Sequence, residues 1–281
     1  MIGVVTDSAA SIAAHLLDGS AIVTVPMQLE VDGRPVGEAG LDVDEVVDAL
    51  IAGRGAELHT SAPSPGAFLE AIEQADQGEG VVVLTVSSKM SSSYEAAVLA
   101  ARMSGAQVQV VDTGTAAGAQ GLVALAAAAE ARSGGSLEAV VKQANTASNR
   151  VRLVGAVGDL RQLARSGRLP SSVAKLGNAF GLHPVFLYKR AQVRVLRPAR
   201  SEAAAREALV SAFRSTLEKG GHRLHVAANY ATDLAGAEWL LEKVAEHAEP
   251  ATSYVARFGP VMVAHTGTDI LGLSWWWEPT C

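Results

Sequence analysis

Residues 81–102 read VVVLTVSSKMSSSYEAAVLAAR and define the repeating unit of this chain. The apolar, mostly β-branched run 81–86 predicts a buried strand. Five serines within 87–93 form a polar loop, and the apolar-periodic segment 94–102 predicts a helix. Strand, loop and helix in this order are typical of one unit of an α/β protein.

The same order occurs twice more, with predicted strands at 2–5 and 108–111 and predicted helices at 11–17 and 116–131. Strands joined through helices of this length require right-handed crossovers. We therefore predict a mainly parallel sheet that is flanked by helices on both faces.

Between the first two units we expect an extended segment over 21–31, a turn at 32–33 and a helix over 43–53. A sharper signal is Ser64-Pro65, because serine is a preferred N-cap and proline fits the first helical position. This pair predicts a helix that runs to about Ala75.

The pattern changes after a predicted helix at 136–148, and we place a domain boundary near residue 150. Residues 1–150 are expected to form an N-terminal α/β domain and residues 151–281 a C-terminal α+β domain. The later predictions are a strand at 151–157, a helix at 159–165, a hairpin at 184–196, helices at 201–218 and 233–247, and strands at 223–228, 253–257 and 261–264.

The amino-acid composition argues against several classes of partner and site. The 281 residues include 23 Lys+Arg against 29 Asp+Glu, a net charge of −6. This balance argues against nucleic acid as the main partner, and the lack of a long apolar run argues against stable membrane insertion. The lone cysteine, Cys281, excludes an internal disulfide, and the N-terminus lacks the pattern of a secretory signal, so we expect a cytoplasmic protein.

The serine loop at 87–93 is the first candidate binding element. Hydroxyls and free backbone N–H groups at a helix start can receive an anion, although serines there also cap helices. The loop lacks the Gly-x-x-x-x-Gly-Lys-Ser/Thr pattern of nucleotide hydrolases, and the chain lacks the Gly-x-Ser-x-Gly pattern of esterases. Both classes therefore lose support.

His265 follows the predicted strand 261–264, where it can serve as an acid, a base or a carboxylate clamp, or be purely structural. Arg165 and Arg168 can bind phosphate or carboxylate, or form a solvated helix end. His222 and His225 lack a third ligand, so no metal site is predicted. The run 275–277, three tryptophans, predicts an extended segment with core packing plus an exposed or interfacial ring.

Six motifs in order resemble the DegV family of bacterial fatty-acid-binding proteins. They span nearly the whole chain. The motifs are TDS at 6–8, TSAPS at 60–64, VSSKMSSSY at 86–94, VDT at 111–113, LARSGR at 163–168, and GP at 259–260 with HTG at 265–267.

The resemblance implies two α/β domains with one long-chain fatty acid between them and no cofactor. Carried over by position, the ligands of its carboxylate are Thr60, Ser61, Ser91, Ser92 and His265, with Arg168 nearby. The resemblance also implies a carrier without enzymatic activity of its own. A separate fatty acid kinase subunit would convert the bound acid to an acyl phosphate for phospholipid synthesis.

Three departures from the family pattern occur: Ala62 replaces Gln, Ser92-Ser93 replaces Gly-Thr, and Thr268 replaces Pro. The side chain of Ser92 can donate to the head group or crowd it. Two alternatives stay open, an enzyme that acts on a small acidic or phosphorylated substrate with His265 as acid or base, and a ligand-sensing regulator.

Overall fold

A computed structural model describes residues 1–31, 34–37, 58–158, 166–167, 182–196, 198–218 and 222–279. The strands are β1 (Gly3–Asp7), β2 (Ile22–Val25), β3 (Gln28–Val31), β4 (Arg34–Gly37), β5 (Leu58–Ser61), β6 (Val81–Thr85), β7 (Val108–Asp112), β8 (Arg152–Ala156), β9 (Val185–Lys189), β10 (Gln192–Val195), β11 (His222–Tyr230), β12 (Pro250–Arg257) and β13 (Leu271–Pro279). The helices are α1 (Ala14–Leu17), α2 (Pro65–Ala75), α3 (Ser93–Met103), α4 (Ala117–Arg132), α5 (Leu137–Arg150), α6 (Glu202–Arg214), α7 (Leu234–Ala245) and α8 (Pro260–Thr266).

The first sheet has the order β2-β1-β6-β7, and all its strand pairs are parallel. Successive side chains along each strand point to opposite faces of the sheet. Val81 and Val83 pack with α2 and α3, whereas Val82 and Leu84 pack with α4 and α5. The predicted parallel sheet with helices on both faces is confirmed.

Helix α2 begins as its sequence predicts. The Ser64 hydroxyl accepts a hydrogen bond from the Ala67 N–H, and Pro65 occupies the first turn. The helix ends at Ala75, where the apolar periodicity stops. Directly before it, β5 joins β3 and β4 in a small antiparallel sheet.

The second sheet has the order β10-β9-β8-β13-β11-β12 and is antiparallel except for the β11–β12 pair. The predicted hairpin at 184–196 is its β9–β10 pair. Helices α6 and α7 cover one face of this sheet, and the mixed α+β character predicted for this half of the chain is confirmed.

Strand β13 holds the three tryptophans. Trp275 and Trp277 pack on the α6–α7 side, while Trp276 belongs to the core on the opposite side. All three are buried, so the expectation of an exposed or interfacial ring was wrong. The reason is that both faces of this strand are covered by helices or loops.

Helix α4 lies between the two sheets and packs against β1 and β6 on one side and β11 and β13 on the other. Its small residues permit this close approach. The Gly118 N–H donates to Asn229 Oδ1 at 2.9 Å, and a side chain at Gly118 would collide with that amide. One hydrophobic core therefore runs continuously from Val4 to Trp276.

Residues 261–264, predicted as a strand, lie in helix α8, so that prediction was wrong. Gly259 is the N-cap and Pro260 takes the first turn, which is the arrangement at the start of α2. The helix predicted at 11–17 is also shorter than expected, because Ser11 has a left-handed and Ala13 an extended backbone conformation, so that α1 begins only at Ala14.

Several sequence predictions lie outside the described residues. They are the turn at 32–33, the helices at 43–53 and 159–165, Arg165, Arg168 and Cys281. Within the described ranges, every helix is too short or too polar to cross a bilayer.

Candidate binding site

A cavity of about 890 Å³ lies where the carboxyl ends of the first sheet face the second sheet. Ligand sites of open α/β sheets occupy this end of the strands. Most of its polar lining comes from β5, the loop after β6 and α8, whereas much of its apolar lining comes from the second sheet. The large apolar residues that line it include Met27, Met90, Leu99, Leu153, Phe186, Val193, Phe258, Met262 and Ile270.

The structure brings five of the six residues singled out from the sequence to this one cavity. They are Thr60, Ser61, Ser91, Ser92 and His265. They come from three segments that are far apart in the chain, which only the tertiary fold unites. The sixth, Arg168, lies outside the described residues.

Thr60 and His265 contact each other directly. The Thr60 hydroxyl lies 2.7 Å from His265 Nε2, and this hydrogen bond ties β5 to the last turn of α8. His265 therefore reaches the cavity from a helix rather than from the end of a strand as we expected. The pair presents a hydroxyl and an imidazole to the same part of the cavity wall.

The serine loop, residues 87–93, contains side chains that make hydrogen bonds within the protein and side chains that line the cavity. Ser91 Oγ accepts from the Ser93 N–H at 3.3 Å and shares a hydrogen bond with Ser93 Oγ. Ser88 Oγ donates to Asp112 Oδ2, which fixes the loop against the end of β7. Ser92 is the N-cap residue of α3, yet its hydroxyl makes no capping hydrogen bond to that helix. It is free to face a ligand.

The buried carboxylate of Asp7 links the carboxyl ends of strands β1 and β6. One carboxylate oxygen accepts from the Val86 N–H at 2.9 Å, and the other accepts from the Ala9 N–H at 3.2 Å and the Gln120 amide at 2.9 Å. Val86 and Ala9 both line the cavity. Asp7 is thus a support for the cavity wall rather than part of its lining.

One face of the second sheet forms an apolar wall that the sequence analysis missed. Leu153, Gly155, Phe186, Tyr188 and Gly272 line the cavity, and they alternate along β8, β9 and β13 with residues that pack on α6 and α7. This two-residue alternation was the available signal. Burial raises the pKa of the Tyr188 hydroxyl above its usual value.

The donors available to a ligand are hydroxyl and imidazole groups. Among the described residues, the lining contains neither lysine nor arginine, and Glu95 is its only acidic side chain. The described ranges also hold no group of three His, Cys, Asp or Glu side chains placed to bind a metal ion. The arrangement suits a ligand with one small anionic group and a large apolar body.

The sequence of this chain is similar to those of known proteins over nearly its whole length. Residues 1–278 match the family described as "Uncharacterised protein, DegV family". A DegV domain-containing protein of Streptomyces coelicolor is 30% identical over 277 residues, which cover 97% of each chain.

Two solved structures share the fold closely. A structure titled for fatty acid binding of a DegV family protein from Thermus thermophilus superposes with a TM-score of 0.89 at 29% identity, covering 98% of this chain and 99% of that one. A structure from Bacillus subtilis, described as DegV, a fatty acid binding protein, has a TM-score of 0.87 at 25% identity and covers 99% of both chains.

Proposed function

The chain belongs to the DegV family, and from this premise we propose that it binds one long-chain fatty acid between its domains, residues 1–150 and 151–281. The observation that carries the proposal is the composition of the cavity. Hydroxyl and imidazole groups converge from β5, the serine loop and α8, and an extended apolar wall faces them. The fatty acid binding described for the Thermus and Bacillus proteins supports the same ligand class.

The carboxylate is assigned to Thr60, Ser61, Ser91, Ser92 and His265. A carboxylate that leaves water without hydrogen-bond donors is strongly disfavoured. The hydroxyls of Ser61, Ser91 and Ser92 supply such donors, and when His265 Nε2–H donates to Thr60 Oγ1 the Thr60 hydroxyl proton is available to the carboxylate as well. A carboxylate would complete this group as an acceptor for several hydroxyl protons at once.

The acyl chain is assigned to the apolar wall. About 15 methylenes at about 0.8 kcal/mol each give at most about 12 kcal/mol of transfer free energy. Association costs about 4–15 kcal/mol, so tight binding requires nearly complete burial of the chain. A cavity of about 890 Å³ that reaches across both sheets provides room for that burial.

We further propose that the protein is a carrier for a separate ATP-dependent kinase and works in the cytoplasm, where ATP is available. In the transfer, a carboxylate oxygen of the bound acid attacks the γ-phosphorus of ATP. A new O–P bond forms, the bond to the β-phosphate oxygen breaks, and ADP leaves. The chain's own role is to hold the carboxylate with its hydroxyl donors, which His265 helps to position through its hydrogen bond to Thr60.

Ser91→Ala tests the head-group assignment. We expect the affinity of the delipidated protein for stearic acid to fall about tenfold or more, because a hydrogen bond to a charged group contributes about 1.5–3 kcal/mol. The affinity for methyl stearate, which lacks the charge, should change little. The measurement is isothermal titration calorimetry with both ligands.

The matched control is Ser133→Ala, which removes an exposed serine outside the cavity. Equal losses for the acid and its ester, or no loss in a folded Ser91→Ala variant, would contradict the assignment.

The kinase step has its own test. The stearate-loaded protein and ATP are incubated with or without a soluble extract of the source cells, and acyl phosphate is trapped with hydroxylamine. We expect the hydroxamate only when the loaded protein and the extract are both present. Formation without the extract would show that the chain itself is the catalyst, and no formation with it would refute the carrier role.

A further inference from the structure

Two glycines lie side by side on the apolar wall of the cavity. Gly155 on β8 is the register partner of Gly272 on β13, and on its other side Gly155 pairs with Phe186 on β9. All three residues line the cavity. Because directly paired residues on one sheet face have neighbouring side chains, the two missing side chains leave space on this face that neighbouring side chains can fill.

Aromatic rings occupy the space above these glycines. A Cβ atom at Gly155 would lie 2.6 Å from Phe186 Cζ and 3.1 Å from each Cε atom of the ring. A Cβ atom at Gly272 would lie 3.4 Å from Phe258 Cζ. The Phe186 ring therefore packs directly against the backbone of β8. Any residue larger than glycine at position 155 would displace it.

We propose that Gly155 is a specificity determinant, which sets the depth of the cavity by letting the Phe186 ring pack against the backbone of β8 beside Gly272. The proposal rests on the proposed fatty acid binding and adds a basis for selection by chain length. With a side chain at 155, the Phe186 ring moves away from the sheet, and the space open to it on that side is the cavity.

Such a change acts on the acyl chain rather than on the carboxylate. The five assigned head-group residues come from β5, the serine loop and α8, and none comes from the second sheet. A raised wall therefore removes room from the chain while the hydroxyl and imidazole groups stay in place. Long chains, which need the full depth, lose more than chains that leave part of the cavity empty.

Gly155→Ala tests this proposal with stearic and decanoic acids as probes. We expect the ratio of the two affinities to shift against stearic acid by about tenfold or more, the size of effect that a methylene-scale misfit in an apolar site produces. The double substitution Gly155→Ala with Phe186→Leu should restore the ratio, because leucine lacks the ring atoms that a Cβ at 155 would meet. Gly105→Ala is the control, since a Cβ there has open space.

Each outcome decides a different question. If the wild-type protein binds neither acid, the proposed function fails. If it binds both and a folded Gly155→Ala variant keeps the wild-type ratio, or loses both acids equally, the glycine proposal is overturned and the function stands. If Gly155→Ala does not fold, Phe186→Leu serves for the comparison: it removes ring atoms from the same wall, so the ratio should shift toward stearic acid, and an unchanged ratio would overturn the proposal.

Discussion

Trp275→Ala should lower the free energy of unfolding by about 3–5 kcal/mol, the range for removing a large aromatic side chain from a core. Trp275 is fully buried beneath α6, where its ring meets Phe213 edge to face at 5.6 Å. Its indole N–H also donates to the Thr216 hydroxyl at 2.9 Å. The substitution leaves a cavity and an unpaired acceptor, and urea unfolding followed by circular dichroism measures the loss.

Trp239→Ala is the matched control for that prediction. Trp239 is partly exposed on α7, with the Lys243 ammonium 5.8 Å from the centre of its ring. We expect a loss of about 1 kcal/mol, which covers one exposed cation–π contact and partial burial. Equal losses for the two tryptophans would contradict the assignment of β13 to the centre of the sheet.

Asp7→Asn should lower the free energy of unfolding by about 3 kcal/mol, because it leaves buried N–H groups without acceptors. Both oxygens of the Asp7 carboxylate accept, and each faces at least one N–H donor. An amide supplies only one acceptor oxygen and turns its own NH₂ group toward a donor. Since Ala9 and Val86 line the cavity, we expect weaker retention of fatty acid as well.

Asp76→Asn is the control for Asp7→Asn. At Asp76, Oδ1 accepts from the N–H groups of Gly78 and Gly80, so an asparagine amide oxygen can replace it. The expected change in unfolding free energy is within about 0.5 kcal/mol, as for most surface substitutions. Wild-type stability in Asp7→Asn would show that the carboxylate does not hold the two strand ends together.

Local signals were sufficient for much of the fold. Two strands were predicted correctly from the β-branched runs at 81–85 and 108–112, and one helix start from Ser64-Pro65. These signals depend only on residues that are adjacent in the sequence. The segment 261–264 failed because a short apolar run fits a buried helix as well as a strand. The Gly259-Pro260 start contained the missing information, since it repeats the logic of Ser64-Pro65.

The candidate binding site was also predictable only in part from the sequence. Hydroxyl and imidazole groups in family-like motifs pointed to Thr60, Ser61, Ser91, Ser92 and His265, and the structure brings these residues together. The apolar wall has no comparable motif. Gly155, Phe186 and Gly272 become neighbours only through the register of β8, β9 and β13, which depends on contacts between distant segments. The burial of all three tryptophans likewise requires knowledge of what covers each face.

The most direct test of the central claim is mass spectrometry of organic extracts from the natively purified protein, with Ser91→Ala prepared in parallel. We predict a stoichiometric long-chain fatty acid in the wild-type extract and its loss from the variant. An extract without lipid from the wild-type protein, together with failure to take up added stearic acid, would contradict fatty acid binding and would direct attention to a smaller acidic ligand of the same hydroxyl and imidazole groups.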